Sequence, residues 1–124
     1  MAIKFTIKGR LDGLNEYTKA CRGNRFSGAE MKKRNQRKVK DSVMQAIVEN
    51  QMHAPRKFPI TVDILWVEKD KRRDVDNIQF GAKFILDALV NLNVLPDDSR
   101  TYVCGINNKV ITDKENPRIE VEIK

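Results

Sequence analysis

Histidine and cysteine are scarce in this chain. Among 124 residues there is one histidine, His53, and two cysteines, Cys21 and Cys104. Neither cysteine has a second Cys or a His at metal-ligand spacing, which argues against a Cys/His metal centre. His53 sits in the polar stretch "NQMHAPRK" and is expected in a surface loop rather than as a ligand or catalytic base. Long apolar runs are missing too: no N-terminal apolar segment of the secretory kind, and nothing close to the ~18 residues of a membrane span. These absences exclude a secreted or membrane class and point to a cytoplasmic chain with reduced thiols. There are no repeats, low-complexity tracts or linkers, and the length suits one domain with one modest core.

Charge is what the sequence has in quantity. Charged residues make up 33%, the formal net charge is +7, and 40% of residues are hydrophobic, enough to fold. The excess of cations favours an anionic partner, of which nucleic acid is the commonest, over a merely soluble basic domain.

Hydrophobic periodicity divides the chain into elements. Residues 2–8, "AIKFTIK", alternate Ile3, Phe5 and Ile7 with polar positions and read as a half-buried strand. "GRLDGLNEY" follows, with two glycines and an Asn, and reads as a loop. Ser27 stands three residues before Glu30, a capping-box pattern, and predicts a helix over 28–51. Its apolar stripe is Met31, Val39, Val43 and Ile47 with Ala46 beside it, while Lys32, Lys33, Arg34, Arg37, Lys38 and Lys40 cover the other faces. Six cations within nine residues, with no acid among them, exceed what a solvated face requires and mark a candidate DNA contact.

"HAPRKFP" breaks that helix, and "ITVDILWV", 60–67, reads as a central strand. Ile60, Val62, Ile64 and Trp66 form one face; Thr61, Leu65 and Val67 suggest a second covered side, with Asp63 near its end or edge. A second helix is expected to start with Asp76 as cap and Gln79 completing the box. It places Ile78, Ala82, Ile85, Leu89 and Leu92 on one stripe and Asp76, Gln79, Lys83 and Asp87 on the opposite one. Pro96 lies beyond its last apolar position. Residues 101–112 and 118–124 read as two strands joined by the turn "DKENP". The order β, α, β, α, β, β predicts an α/β fold of α+β type: a single domain over 1–124, a mixed sheet with helices packed on it.

The stretch "KDKRRDVDNIQ", 69–79, crowds cations and carboxylates at the exit of the central strand. In an extended segment residues two apart point the same way, so Asp74 and Asp76 can converge on one cation. Equally, Asp76 could be only a helix cap and Asp74 a partner for Arg72 or Arg73. What adds weight is "PDDSR", with Asp97 and Asp98 in a loop on the far side of the same helix. A third carboxylate from that loop completes an oxygen cage if the following strand pairs beside the one ending at Val67. Carboxylate oxygens suit Mg²⁺, which keeps several waters and takes a few acids plus a substrate phosphate. Such a site hydrolyses phosphodiesters. Lys71, Arg72 and Arg73 would hold the DNA backbone while the acids hold the metal.

"RRDVDN…KFILDALVNLNVLPDDS" resembles the RusA family of phage and prophage Holliday-junction resolvases. The family carries an Arg-Asp-x-Asp-Asn motif, a Lys, an Asp-Ala-Leu or similar, and then a paired Asp-Asp loop. "LNEY" resembles its short Asn-containing segment after the first strand. The resemblance covers most of the chain, with its specific motifs between 72 and 99. It implies Mg²⁺-dependent cleavage of branched DNA in recombination and repair, with Mn²⁺ able to substitute, by a homodimer. The catalytic, metal-binding acids fall on Asp74, Asp76 and Asp98, and the essential lysine on Lys83 if "FGA" at 80–82 is a local insertion. Lys83 has an alternative reading as an i,i+4 partner of Asp87. Asp97 is left open between supporting the metal and shaping the loop. Two rival functions stand beside this one: a non-catalytic basic DNA-binding protein, and a Mg²⁺-dependent nuclease for flaps or forks.

Overall fold

A computed structural model of the chain describes residues 3–124. The elements are β1 (Ile3–Lys8), α1 (Leu14–Gly23), α2 (Ser27–Val48), β2 (Ile60–Glu68), α3 (Val75–Gln79), α4 (Ala82–Asn91), β3 (Val103–Thr112) and β4 (Arg118–Ile123). They form one α+β domain. The strands lie in the order β1-β4-β2-β3, with β2 and β3 parallel and the other pairs antiparallel. The sheet is therefore mixed and β2 is interior, as its apolar composition predicts. Ile60, Val62, Ile64 and Trp66 are buried beneath the helices together with Phe5, Ile7, Ile119 and Val121.

Several local expectations are corrected. The segment read as a loop after β1 contains α1, which starts at Leu14. Its first turn is satisfied partly from far away: the Asn77 side-chain oxygen accepts the Asn15 backbone N–H at 2.8 Å. Nearer by, Glu16 reaches back to the Gly13 N–H at 2.9 Å. A helix whose cap comes from the other half of the chain carries no local start signal.

The long helix α2 begins where expected but not by the expected cap. Asn24, not Ser27, supplies the oxygen, accepting the N–H groups of Phe26 and Ser27 at 2.9 and 3.0 Å. The buried row is Gly28, Asn35, Val39, Val43 and Ala46; Met31 is only half-buried and Ile47 is exposed. Asn35 takes a core position because Asp12 and the Met31 carbonyl satisfy its amide. The helix stops at Val48 rather than 51, because Asn50 adopts a left-handed conformation and closes the end. Its N–H bonds to the Ile47 carbonyl and that of Gln51 to the Ala46 carbonyl. Asn93 ends α4 in the same way.

The second predicted helix is two. It breaks at Phe80–Gly81, where the bonds shorten to three-residue spacing: Gly81 N–H to Ile78, Lys83 to Phe80, Phe84 to Gly81. Gly81 lies against the Trp66 ring, and a Cβ there would come within 3.1 Å of it. The cap is Asp74, not Asp76, which falls in the first turn of α3. Ile78, Ala82, Ile85 and Leu89 are buried as predicted, and Leu92 is half-buried.

Candidate active site

The motif leaves β2 through Glu68, which is buried and paired. Arg73 meets its carboxylate with two hydrogen bonds, at 2.9 and 2.8 Å. The same guanidinium donates to the Leu11 carbonyl at 3.0 Å and lies 3.5 Å from Glu16. Burial lowers the Arg73 pKa, but the hydrogen bonds and charge of Glu68 outweigh it and the pKa is raised overall. Arg73 therefore does not stand free to hold a DNA phosphate, as the sequence had it. It ties the segment before α1 to the end of β2. Asn77 does the same four residues on, buried against Gly13 and capping α1.

Between these two rivets the carboxylates point outward. Asp74 and Asp76 are exposed. Asp76 accepts the Asn77 N–H at 2.9 Å, and Asp74 makes no side-chain cap bond. Among the described residues neither forms an ion pair, and nor do Asp97, Asp98 or Lys83. The partners proposed for them are taken elsewhere. Arg72 pairs with Asp70 at 3.6 Å, Arg73 with Glu68, and Asp87 with Lys32 of α2 at 3.6 Å. Gln36 also reaches Asp87, at 3.4 Å. The i,i+4 reading of Lys83 is thus not realised.

The third carboxylate lies elsewhere. β3 pairs beside β2 as the cage required, but parallel to it, with Val103 opposite Ile60 and Thr112 opposite Glu68. The "PDDSR" loop leads into the Val103 end, whereas Asp74 and Asp76 follow the Glu68 end. Among the described residues no three His, Cys, Asp or Glu side chains come close enough to hold a metal ion. Asp98 instead opens onto a groove of about 450 Å³ between α2 and α4, lined also by Lys32, Lys33, Gln36, Lys83 and Asp87. Because the helix breaks at Gly81, Asp76 and Lys83 do not share one continuous row.

The basic face of α2 divides. Lys33 and Arg37 are exposed with no ion pair among the described residues. Arg34 meets Asp12 at 3.3 Å but stays 67% exposed, a surface pair worth about 0–1 kcal/mol. Lys38 donates to the Arg10 carbonyl at 2.7 Å, and burial lowers its pKa. Lys71 and Arg72 are exposed beside the motif. His53 is half-buried, its Nδ1 2.9 Å from the Ala54 carbonyl, and both cysteines are free thiols.

A family model described as Endodeoxyribonuclease RusA matches residues 12–124. The chain belongs to the RusA family. No curated protein matches it. The match begins just before α1, so the Gly13–Asn15 segment that docks on Asn77 lies inside the RusA domain. RusA proteins are Holliday-junction-resolving endodeoxyribonucleases, so the chain carries a nuclease domain directed at DNA junctions. Among the described residues no helix is long and apolar enough to cross a membrane.

Proposed function

We propose that this RusA domain is a Mg²⁺-dependent endodeoxyribonuclease that resolves Holliday junctions as a homodimer in the cytoplasm, with Mn²⁺ able to substitute. Asp74, Asp76 and Asp98 are the metal-binding acids, and Asp97 stands beside Asp98 in its loop. The observation that carries this reading is chemical: none of the ion pairs offered for these groups is formed. Arg72 and Arg73 take Asp70 and Glu68, Asp74 makes no side-chain cap bond, and Lys32 takes Asp87. Asp74, Asp76, Asp97, Asp98 and Lys83 are then exposed without ion-pair partners among the described residues.

Exposed carboxylate oxygens suit a hard divalent cation, which supplies charge stabilisation at the phosphate and a more acidic water when bound. The three acids are not gathered within the described chain. The chain's own groups supply the rest. Lys71 and Arg72 hold phosphate beside the motif, while Lys33, Arg37 and Arg34 extend the positive field along α2. Lys83 offers a point charge to a developing oxyanion. A four-way junction has two-fold symmetry, so a two-fold dimer would place one site at each of two opposing strands.

Incubating the protein with a labelled four-way junction and matched duplex, with and without Mg²⁺, tests the reading. Junction cleavage that EDTA stops, with binding retained, is expected. Junction binding without cleavage under any divalent ion would make it a non-catalytic binder, and preferential cutting of flaps or forks would reassign the substrate.

A further inference from the structure

The turn between α1 and α2 carries a phenylalanine with no place in the core. Phe26 is 62% exposed, although burying a side chain of its kind is worth about 1.5–3 kcal/mol. The aromatic cluster of Tyr17, Phe80 and Phe84 forms without it. The Arg25 guanidinium instead lies over its ring, 4.7 Å from the centroid. The turn is held in one shape by Asn24, so ring and cation are presented on a fixed support.

Position gives the ring a purpose. Phe26 has helical dihedrals, φ −96° and ψ −23°, so it continues the row of α2 that includes Ala29 and Lys33, three and seven residues on. Ala29 and Lys33 line the groove that also holds Lys83 and Asp98. Phe26 therefore heads the helix row that contributes to a groove lined by three lysines and two aspartates, with Lys83 and Asp98 of the proposed site among them. Around it, residues 19–30 carry Lys19, Arg22 and Arg25 against one acid, Glu30.

We infer that Phe26, backed by Arg25, is a stacking platform for an unpaired base of DNA entering the α2–α4 groove. The inference rests on the DNA-cleaving reading and deepens it. Aromatic rings stack on any base, so such a contact is indifferent to sequence. It requires a base free of its own stack, which a branch point or single strand offers and an intact duplex does not. Lysines along the groove bind phosphate in either case and cannot make that distinction. The arginine serves twice, attracting the backbone and polarising the ring from one face.

The test measures equilibrium binding in EDTA, so that it does not depend on cleavage. Wild type, Phe26→Ala, Phe26→Leu and Phe26→Tyr are compared on a four-way junction, the matched duplex and an oligothymidine strand. Phe26→Ala is expected to lose roughly tenfold to hundredfold affinity for junction and single strand. Its duplex affinity and salt slope should stay within about twofold, and Phe26→Tyr should recover the loss where Phe26→Leu does not. Equal loss on duplex, recovery by Phe26→Leu, or no loss on the single strand would each overturn the inference. Thermal unfolding of the same samples separates a folding defect, which would lower binding to all three ligands alike. If wild type shows no preference for junction over duplex, the resolvase reading falls while the single-strand arm still decides the role of Phe26.

Discussion

Arg73 and Glu68 face each other through two parallel hydrogen bonds, Nε to Oε1 at 2.9 Å and Nη2 to Oε2 at 2.8 Å, with side chains only 10% and 8% exposed. A motif arginine beside a DNA-cutting site invites a phosphate role, but this geometry gives it a structural one. Arg73→Ala is expected to cost about 3–5 kcal/mol in urea unfolding, because it strands a buried carboxylate. Arg73→Lys should recover little, since an ammonium cannot make the paired contact. A loss below about 1 kcal/mol would mark the pair as no more than a surface contact.

Gly13 rests directly on Asn77. A Cβ on Gly13 would sit 2.6 Å from the Asn77 Oδ1 and 2.7 Å from its backbone oxygen. Gly13→Ala is therefore expected to destabilise by about 1–3 kcal/mol through overpacking. Asn77→Ala leaves the Asn15 N–H without its acceptor, at a comparable cost. In the double variant the two effects should fall short of their sum, since both act on one contact. Strict additivity would show that α1 is not docked through this pair.

Asp74→Asn and Asp76→Asn are each expected to abolish cleavage while leaving junction binding unchanged or tighter. Removing a carboxylate takes away a metal ligand and also relieves repulsion of phosphate. The Asn oxygen at 76 still accepts the Asn77 N–H, so folding should be intact. Near-normal cleavage by either variant would remove that residue from the site.

Lys83 has no ion pair among the described residues, because its neighbour Asp87 is held by Lys32 from α2. Lys83→Ala should therefore leave stability within about 0.5 kcal/mol, as an exposed substitution does. Single-turnover cleavage should fall by one or more orders of magnitude, roughly the loss of one electrostatic donor. Normal turnover with normal stability would exclude Lys83 from the reaction, and with it the treatment of "FGA" as an insertion.

Neutralising Lys33 and Arg37 is expected to weaken binding to every DNA alike, flattening the log–log salt slope by about 0.9 per lost phosphate contact on duplex arms. Lys32→Gln should behave differently, with some loss of stability, because Lys32 holds Asp87 across the α2–α4 contact. A salt slope unchanged in the Lys33/Arg37 variant would turn this face of α2 away from DNA.

The strands and the buried faces of α3 and α4 were legible in the sequence because they depend on period alone. Alternation at Ile3–Ile7 and Ile119–Ile123, and spacing at Ile78, Ala82, Ile85 and Leu89, are local properties that burial then selects. The match to RusA over residues 12–124 bears out the family resemblance read from the "RRDVDN" and "PDDS" segments. What the sequence could not specify were features created by partners distant in the chain. α1 takes one of its caps from Asn77, the break before α4 coincides with the ring of Trp66 against Gly81, and Arg73 is withdrawn from DNA by Glu68 and the Leu11 carbonyl. The separation of Asp98 from Asp74 and Asp76 was decided at the same level. Alternation predicts that β3 forms, but only sheet pairing fixes its direction, and a strand parallel to β2 brings its entry loop to the opposite end from the motif.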